Sequence, residues 1–252
     1  VLSWDFLTSF PSRVIPANSG IESAIVGTIY LMFICGLLVV PLGIMTAVYL
    51  EEYADADRWY NRMIEVNIQN LASVPSVVYG ILGLVVFAQA LRGISGGLSY
   101  ISGGLTLAVL VIPIVILVTM EALRAVPASI REAAYGVGAT RWEVVRSHVL
   151  PYAAPGVFTG AILSLARAFG ETAPLLLVGA VTGYLSPGGS GNVIETLQGS
   201  YTALPTIIFT WARQPGEEWT QLTAAAIVVL LVVILIVNLA AILLRNRYER
   251  KW

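Results

Sequence analysis

The arrangement of charged residues along this chain constrains its fold more than any other feature. Between them lie five apolar stretches, residues 23–50, 66–91, 100–120, 155–182 and 221–244. A helix needs about 20 mostly apolar residues to cross a bilayer, and each stretch is long enough. Only 12% of the residues are charged and the mean hydropathy is +0.81, whereas soluble domains average about 25% charged residues. The pattern predicts an all-α integral membrane protein with five spans.

Lysine and arginine are distributed unequally between the two ends of these spans. Ten lie on one side, at positions Arg58, Arg62, Arg124, Arg131, Arg141, Arg146, Arg245, Arg247, Arg250 and Lys251, and three lie on the other, Arg13, Arg92 and Arg213. Because positive residues stay cytoplasmic, the C-terminus and residues 127–150 are predicted to be cytoplasmic and residues 184–219 extracytoplasmic. Five spans would then place Val1 outside. We therefore expect a further N-terminal span, upstream of this numbering or elsewhere.

Several kinds of site cannot be assembled from these residues. The chain has one cysteine, Cys35, one histidine, His148, and one lysine, Lys251. These exclude a disulfide framework and a Cys/His metal site, and the position of the lysine excludes a GxxxxGK[ST] phosphate loop. We predict no metal site and no catalytic residue, and we interpret Cys35 as a small packing residue. If the protein uses ATP, another subunit must bind it.

The external segment, residues 184–219, opens with "SPGGSGN" and continues with "YTALPTIIFTWARQP". This composition is typical of a flexible turn followed by an interfacial helix or a re-entrant piece. A cap lying on the membrane surface is the favoured interpretation, and a dedicated ligand site is the alternative.

The longest cytoplasmic connection, residues 127–150, carries two helix-start signals. Ser129 to Glu132 and Thr140 to Glu143 both fit the capping box [ST]xxE, which predicts two short helices. Gly136 and Gly138 supply a break between them, and Leu150-Pro151 is predicted to begin the next element. The first helix would bring apolar side chains into a water-facing loop. A partner protein covering them is the favoured explanation, and a helix lying flat on lipid headgroups is the alternative.

The string "REAAYGVGATRWEVVRSHVLP" in this loop resembles the EAA signature of permease subunits in binding-protein-dependent ABC importers. The matching residues are Glu132, Ala133, Ala134, Gly138, Leu150 and Pro151. His148 stands where that family has an apolar residue. In the family this loop is a coupling helix that docks into the ATPase subunit. The resemblance therefore implies ATPase-coupling residues at Arg131, Glu132, Ala133, Ala134, Tyr135, Gly138 and Thr140.

Further segments resemble the phosphate-specific branch of that family, the PstA-type permeases. They include "PLGIMTAVYLEEYA", "NLASVPSVVYGILGL", "LARAFGETAPLLL" and "ALPTIIFTWARQP". The resemblance implies a single permease domain over residues 1–252 with the type I ABC importer (MetI-like) transmembrane fold, in the bacterial cytoplasmic (inner) membrane. It also implies alternating access with a PstC-like permease, a PstB-like ATPase dimer that binds ATP and magnesium, and a PstS-like phosphate-binding protein. The chain itself would be a transport subunit and no enzyme.

Arg167 and Glu171 interrupt the apolar stretch "SLARAFGETAPLLLVGA". An arginine near a helix centre costs about 2.5–3.5 kcal/mol on insertion scales, so it should face the bundle interior or water. Residues four apart share a helix face, so Glu171 is predicted one turn from Arg167, on a stripe that continues through Gly160, Ser164 and Pro174. We hypothesise that Arg167 contacts a tetrahedral oxyanion and that Glu171 is its resting counter-ion. The alternative is an ion pair that locks helices together.

The second stretch carries a comparable stripe at Gln69, Ser73, Ser76, Gly80 and Gly83. Small residues at such spacing are typical of close helix packing, and a pathway-lining role is equally compatible with them. The predicted pathway residues are Arg167, Glu171, Ser164, Gln69, Ser73 and Ser76.

Other functions remain open on the sequence. A permease for sulfate or molybdate, or a PstC-type partner subunit, would share most of these features. A proton-driven secondary transporter would use Arg167 and Glu171 as a titrating relay. A membrane scaffold without transport would keep the packing stripes but would tolerate loss of the buried charges. A membrane enzyme is the weakest alternative, because no nucleophile, metal or acid–base constellation is present.

Overall fold

The computed structural model describes residues 3–12, 15–16, 19–55, 57–180 and 193–248, and within these ranges the chain is helical and contains no strand. The helices are α1 Trp4–Thr8, α2 Glu22–Val48, α3 Trp59–Ser73, α4 Ser76–Leu82, α5 Arg92–Ser95, α6 Tyr100–Arg124, α7 Ala128–Gly136, α8 Arg141–Val144, α9 Leu150–Phe169, α10 Ala173–Leu177, α11 Val193–Leu197, α12 Leu204–Trp211 and α13 Glu217–Tyr248. Wider π-helical turns follow α2 at Tyr49–Tyr53, follow α4 at Gly83–Ala90, and join α8 to α9 at Val145–Val149. The predicted all-α class is confirmed.

Four helical segments of the described chain are long and apolar enough to cross a membrane: Glu22–Tyr53, Tyr100–Arg124, Arg141–Phe169 and Glu217–Arg247. They overlap the predicted spans 23–50, 100–120, 155–182 and 221–244. Pro41, Pro113 and Pro155 lie inside these helices without ending them. Membrane helices tolerate such prolines because neighbouring groups satisfy the freed backbone carbonyls.

The predicted second span, residues 66–91, is wrong as one continuous helix. The chain forms two helical segments instead, Trp59–Ser73 and Ser76–Ala90, which are bent by 101° at the break between them. Pro75 is the physical reason. A proline disfavours helical geometry in the residue before it and has no backbone N–H to continue the helical ladder.

Two compact units make up the described chain. The first contains the described residues within Val1–Leu37, Val74–Leu110 and Arg167–Leu235, and the second contains those within Leu38–Ser73, Val111–Ala166 and Ile236–Trp252. Each is described by itself below.

The first unit has an apolar core around α12. Its buried members are Phe6, Ile21, Ala24, Leu204, Ile207, Trp211, Trp219, Leu222, Ala225 and Ala226. The hydroxyl of Thr28 accepts a hydrogen bond from the backbone N–H of Leu204 at 2.9 Å and donates to the carbonyl of Ala24 at 2.7 Å. The first N–H groups of a helix have no partner within the helix. Thr28 of α2 therefore fixes the start of α12.

Glycines let α6 approach α2 closely in this unit. A Cβ added to Gly103 would lie 2.9 Å from Leu31, and one added to Gly104 would lie 2.6 Å from Ile34. Both distances are shorter than carbon–carbon contact distances of about 3.5–4.0 Å. A larger residue at either position would therefore require Leu31 or Ile34, or the helices themselves, to shift. Cys35, on the same helix as Leu31 and Ile34, is fully buried, which agrees with its predicted packing role.

Part of the segment predicted to be external packs into the first unit. Residues 201–207, which include the start of α12, are all buried within the first unit. The first half of α12 is enclosed by the core that it helps to form, whereas Phe209 near its end is exposed. The surface-cap interpretation and its ligand-site alternative stay predictions. The "SPGGSGN" turn lies outside the described residues.

The second unit packs α7, α9 and the end of α2 around α6. Its buried core consists of Ala47, Ile68, Ile116, Met120, Leu123, Val126, Ala134, Val144, Val149, Ala153 and Val157. Gly160 and Gly156 bring α9 close to α6, because their added Cβ atoms would lie 2.9 Å from Val118 and 3.1 Å from Ala122. This close packing includes Ala134 of α7, so the cytoplasmic loop predicted from the sequence is part of the unit's core.

Candidate functional site

Arg167 and Glu171 approach each other at the end of α9. The Nε of Arg167 lies 4.0 Å from the Oε1 of Glu171, which is beyond hydrogen-bond distance. The Arg167 side chain is 64% exposed, whereas that of Glu171 is 18% exposed. The carboxylate is therefore the more enclosed member of the pair. The guanidinium points away from the packed interior of the first unit.

The two residues do not share one continuous helix, which corrects the predicted span 155–182. The last residue of α9 is Phe169, so Glu171 lies in the turn that follows. The backbone N–H groups of Gly170 and Glu171 donate to the carbonyls of Arg167 and Ala168 at 3.1 and 3.2 Å, which closes this turn. The pair is brought together by the helix-ending turn, and the predicted stripe through Pro174 does not exist.

The "GETAPLL" segment is held from two sides. A proline occupies the first turn of α10, where its missing N–H carries no penalty, and this Pro174 is buried. A Cβ added to Gly80 of α4 would lie 2.8 Å from the Cα of Pro174, so α4 and α10 are in close contact. The buried hydroxyl of Tyr201 donates to the carbonyl of Leu175 at 3.0 Å. The backbone that follows Glu171 is therefore held at Pro174 and Leu175.

The stripe predicted along residues 69–83 is divided by Pro75. Gly80 and Gly83 are buried packing positions, and a Cβ on Gly83 would clash with Thr106. The structure thus supports close packing for the glycines of this stripe. Ser76 begins α4 and is partly exposed.

The remaining predicted pathway residues lie in the second unit. Gln69 and Ser73 are exposed on α3, and the Ser73 hydroxyl donates to the carbonyl of Asn70 at 2.7 Å. Ser164 is buried in α9, and its hydroxyl donates to the carbonyl of Gly160 at 2.8 Å. Both hydroxyls thus bond to their own helix. The pathway roles of these residues stay predictions.

Helix α7 carries the EAA residues, which occupy two different faces. Ala134 is buried in the second unit's core, and Arg131 is turned inward toward Glu52. Glu132, Ala133 and Tyr135 are exposed. Gly138 and Thr140, which follow the helix, are exposed together with the apolar side chains of Val137 and Trp142. The loop therefore has one packed face and one open, partly apolar face.

Only one of the two predicted capping boxes forms. Helix α7 begins at Ala128 after Pro127, so Ser129 lies inside its first turn and does not cap it. Thr140 does cap α8: its hydroxyl accepts from the N–H of Glu143 at 3.4 Å, and the Glu143 carboxylate accepts from the Thr140 N–H at 2.8 Å. Gly138, with φ +85°, makes the break between α7 and α8. This left-handed geometry favours glycine.

The second predicted short helix is part of a longer one. Helix α8 continues through the π turn Val145–Val149 into α9, forming one helical stretch Arg141–Phe169. Leu150 and Pro151 begin α9 as predicted, although α9 continues from the π turn without a break. Proline cannot donate to the helical ladder, and it is accommodated directly after the wider turn.

Replacing Thr140 by alanine is expected to cost about 1 kcal/mol of unfolding free energy, because a lost N-cap typically costs that much. Ser129→Ala is the matched control and should change stability by less than about 0.5 kcal/mol, as for surface positions in general. Thermal unfolding of the detergent-solubilised chain measures both. Equal losses at the two positions would contradict the observed capping pattern.

The sequence did not indicate a role for three consecutive residues in the π turn that follows α2. Glu51, Glu52 and Tyr53 each contact an arginine that follows in the chain: Arg124, Arg131 and Arg141, respectively. Arg124 also binds Glu65 at 2.8 Å. Only a weak signal in the sequence pointed to these contacts. The "EEY" residues directly follow the first predicted span, on the same predicted side of the membrane as the three arginines.

The profile of the protein family described as "Binding-protein-dependent transport system inner membrane component" matches residues 39–250. The chain belongs to this family. The permease is 38% identical over 72% of its length to "Probable ABC transporter permease protein YqgI" of Bacillus subtilis, and it spans 60% of that protein. It is 33% identical over 90% of its length to "Phosphate transport system permease protein PstA 1" of Mycobacterium tuberculosis, spanning 70% of it. A PstC of Mesorhizobium japonicum is 33% identical over 69% of this chain and 60% of that protein.

The fold of the permease is also found among solved ABC importers. An inward-facing structure of the MetNI methionine ABC transporter superposes with a TM-score of 0.67 at 20% identity, covering 90% of this chain and 97% of that one. The expected MetI-like transmembrane fold is thereby confirmed. The permease is the membrane component of an ABC importer, and the docking of α7 against an ATPase stays a proposal.

Proposed function

We propose that this permease carries inorganic phosphate and forms half of the translocation pathway of an ATP-driven importer. The observation that carries the proposal is the open guanidinium of Arg167 at the end of a membrane helix, beside an enclosed carboxylate 4.0 Å away. Relatives named PstA, one of them 33% identical over 90% of the chain, support phosphate as the cargo.

Arg167 is suited to bind a tetrahedral oxyanion. A guanidinium directed at lipid would cost about 2.5–3.5 kcal/mol, so the exposed face of Arg167 must meet water or another subunit. Its planar set of N–H donors can contact two oxygens of one anion, which a lysine ammonium cannot match in geometry. The long distance to Glu171 leaves these donors available. The carboxylate therefore balances the charge without occupying the donors.

Glu171 favours phosphate over the other oxyanions. Phosphate keeps at least one proton near neutral pH and can donate a hydrogen bond to a carboxylate, whereas sulfate and molybdate carry none to donate. An ionised carboxylate only accepts hydrogen bonds. The enclosed Glu171 would accept from phosphate and would repel a fully deprotonated anion. Sulfate and molybdate are therefore less suitable cargoes than phosphate at this site.

The complex would contain a PstC-like permease, a PstB-like ATPase dimer and a PstS-like phosphate-binding protein. ATP and magnesium would be bound by the ATPase subunits, and the C-terminus and α7 would lie in the cytoplasm, as the ten positive residues on that side favour. A PstC-type identity for this chain is less well supported, because the PstC relative aligns with 69% of the chain and the PstA relative with 90%.

Reconstitution tests this function. The four kinds of subunit are placed in vesicles with ATP at the ATPase side, and radiolabelled phosphate is supplied with the binding protein. We expect ATP-dependent accumulation that excess unlabelled phosphate suppresses and excess sulfate does not. Accumulation driven by a proton gradient without ATP would instead support the secondary transporter. If excess sulfate or molybdate suppressed the accumulation of labelled phosphate, the proposal that phosphate is the cargo would be rejected in favour of that anion.

A further inference from the structure

Three consecutive residues of the π turn that follows α2 each contact a different arginine. We call residues Glu51, Glu52 and Tyr53 the EEY turn. Arg124, at the end of α6, binds Glu51 with its Nε 2.9 Å from Oε2. The guanidinium carbon of Arg141, at the start of α8, lies 5.3 Å from the ring centroid of Tyr53. Between these two residues, Glu52 of the EEY turn binds Arg131 of α7.

Arg131 of α7 makes the most enclosed of these contacts. Its Nη2 lies 2.6 Å from Oε1 of Glu52, whose side chain is 8% exposed. Nη2 also donates to the carbonyl of Leu123 at 3.0 Å, and Nη1 donates to that of Val126 at 2.7 Å. Leu123 lies in the last turn of α6, and Val126 follows the end of that helix by two residues. One guanidinium therefore joins α7 to the π turn that follows α2 and to the end of α6.

The wider turn explains how neighbouring acids reach different arginines. In Tyr49–Tyr53 the backbone follows the i→i+5 pattern, and the N–H of Ala54 donates to the carbonyl of Tyr49 at 2.8 Å. Such single π turns redirect side chains and are frequent at functional sites. Glu51 remains at the margin of the second unit, whereas Glu52 is directed into it.

One face of α7 is open for docking of another subunit, and the opposite face attaches the helix to the second unit. Glu132, Ala133 and Tyr135 are exposed, whereas Ala134 and Arg131 face the second unit. Apolar contacts such as that of Ala134 are non-directional. A charge-assisted, hydrogen-bonded arginine has a defined geometry and resists sliding. A displacement applied to the exposed face of α7 would therefore reach α2 chiefly through Arg131 and Glu52.

We propose that Glu52 is a positioning residue that couples α7 to the first span, so that movement of the ATPase is transmitted to the transport helices. This inference rests on the proposed function, because α7 must dock on an ATPase. Glu52 contacts neither cargo nor nucleotide. Its removal should uncouple ATP hydrolysis from uptake while leaving the docking face of α7 intact.

The first experiment compares Glu52→Gln with Asp55→Asn in the reconstituted complex. Asp55 forms a neighbouring ion pair with Arg58 that is exposed and lies outside the EEY turn. We expect phosphate taken up per ATP hydrolysed to fall by about tenfold in Glu52→Gln, within the range of allosteric coupling energies, and to remain unchanged in Asp55→Asn. Glu52→Asp keeps the carboxylate and should retain part of the ratio. An unchanged ratio in Glu52→Gln would overturn the proposal.

A second measurement does not depend on the cargo. Spin labels at Met45 of α2 and Glu132 of α7, both exposed, report the distance between these helices in the purified permease after Cys35→Ala. We expect a broader distance distribution in Glu52→Gln than in Asp55→Asn. An equally narrow distribution would overturn the proposed anchoring. If phosphate uptake is absent in the wild type while the distribution broadens, the proposed cargo fails and the anchoring role stands.

Discussion

Replacing Arg167 by glutamine is expected to lower phosphate uptake by about 100-fold, while the subunits still assemble. Hydrogen bonds to charged groups contribute about 1.5–3 kcal/mol, and a loss near 3 kcal/mol corresponds to about two orders of magnitude in rate. Assembly should persist because the Arg167 side chain is 64% exposed and lies 4.0 Å from its counter-ion, so little packing depends on it. ATP-dependent uptake in reconstituted vesicles and copurification of the subunits measure the two properties.

Arg213→Gln is the matched control. Arg213 belongs to the same unit, and its guanidinium carbon lies 4.2 Å from the ring centroid of Phe209, so its charge is already engaged with an aromatic face. Its loss should leave uptake close to that of the wild type. Arg167→Lys should retain part of the activity, because it keeps the charge but loses the planar donors. Wild-type uptake by Arg167→Gln would reject the anion contact and favour a purely structural pair.

Placing tryptophan at Ala133 is expected to abolish both uptake and the ATPase activity that depends on the binding protein. Ala133 is exposed on the open face of α7, so the indole can be accommodated by the free chain but would block close docking of another subunit. The thermal unfolding midpoint of the isolated permease should change little, as for most surface substitutions. Uptake, stimulated ATPase activity and thermal unfolding are measured on the same preparations.

Two neighbouring variants make this result specific. Ala133→Ser keeps the side chain small and should retain uptake. Ala134→Trp should instead destabilise the permease by about 1–3 kcal/mol or more, because Ala134 is buried in the second unit and overpacking strains a core. If Ala133→Trp transports normally, α7 does not dock through this face. If the two tryptophan variants behave alike, the division of α7 into a packed and an open face is contradicted.

Local chemistry made much of the helical pattern predictable. The lengths of the apolar stretches indicated α2, α6 and α13. Backbone N–H and C=O groups in lipid must be hydrogen-bonded within the protein, and a single spanning segment achieves this as a helix. The capping box at Thr140 formed as predicted, whereas that at Ser129 did not. Both matched the same short pattern, but Pro127 starts α7 two residues earlier. A pattern of four residues does not encode where the preceding element ends.

The candidate site was predictable in its residues more than in its geometry. Arg167 and Glu171 stand out in an apolar stretch, and they do approach each other. Their contact arises from the turn after Phe169 and not from one helix face, because α9 ends at Phe169 and α10 begins only at Ala173. The Glu52 contact with Arg131 was missed, since the two residues lie 79 positions apart, with α3, α4, α5 and α6 between them.

The sequence by itself determined that the chain lies in a membrane, which stretches can cross it, and that the EAA loop belongs to a family of importers. These follow from hydropathy, charge and short motifs, which act over a few residues. The tertiary structure decided that the start of α12 is buried, that Pro75 divides a predicted span, and which residue of the EEY turn each of Arg124, Arg131 and Arg141 contacts. Those outcomes depend on contacts between residues far apart in the chain, and such contacts are selected by packing and desolvation across the whole unit rather than by local preference.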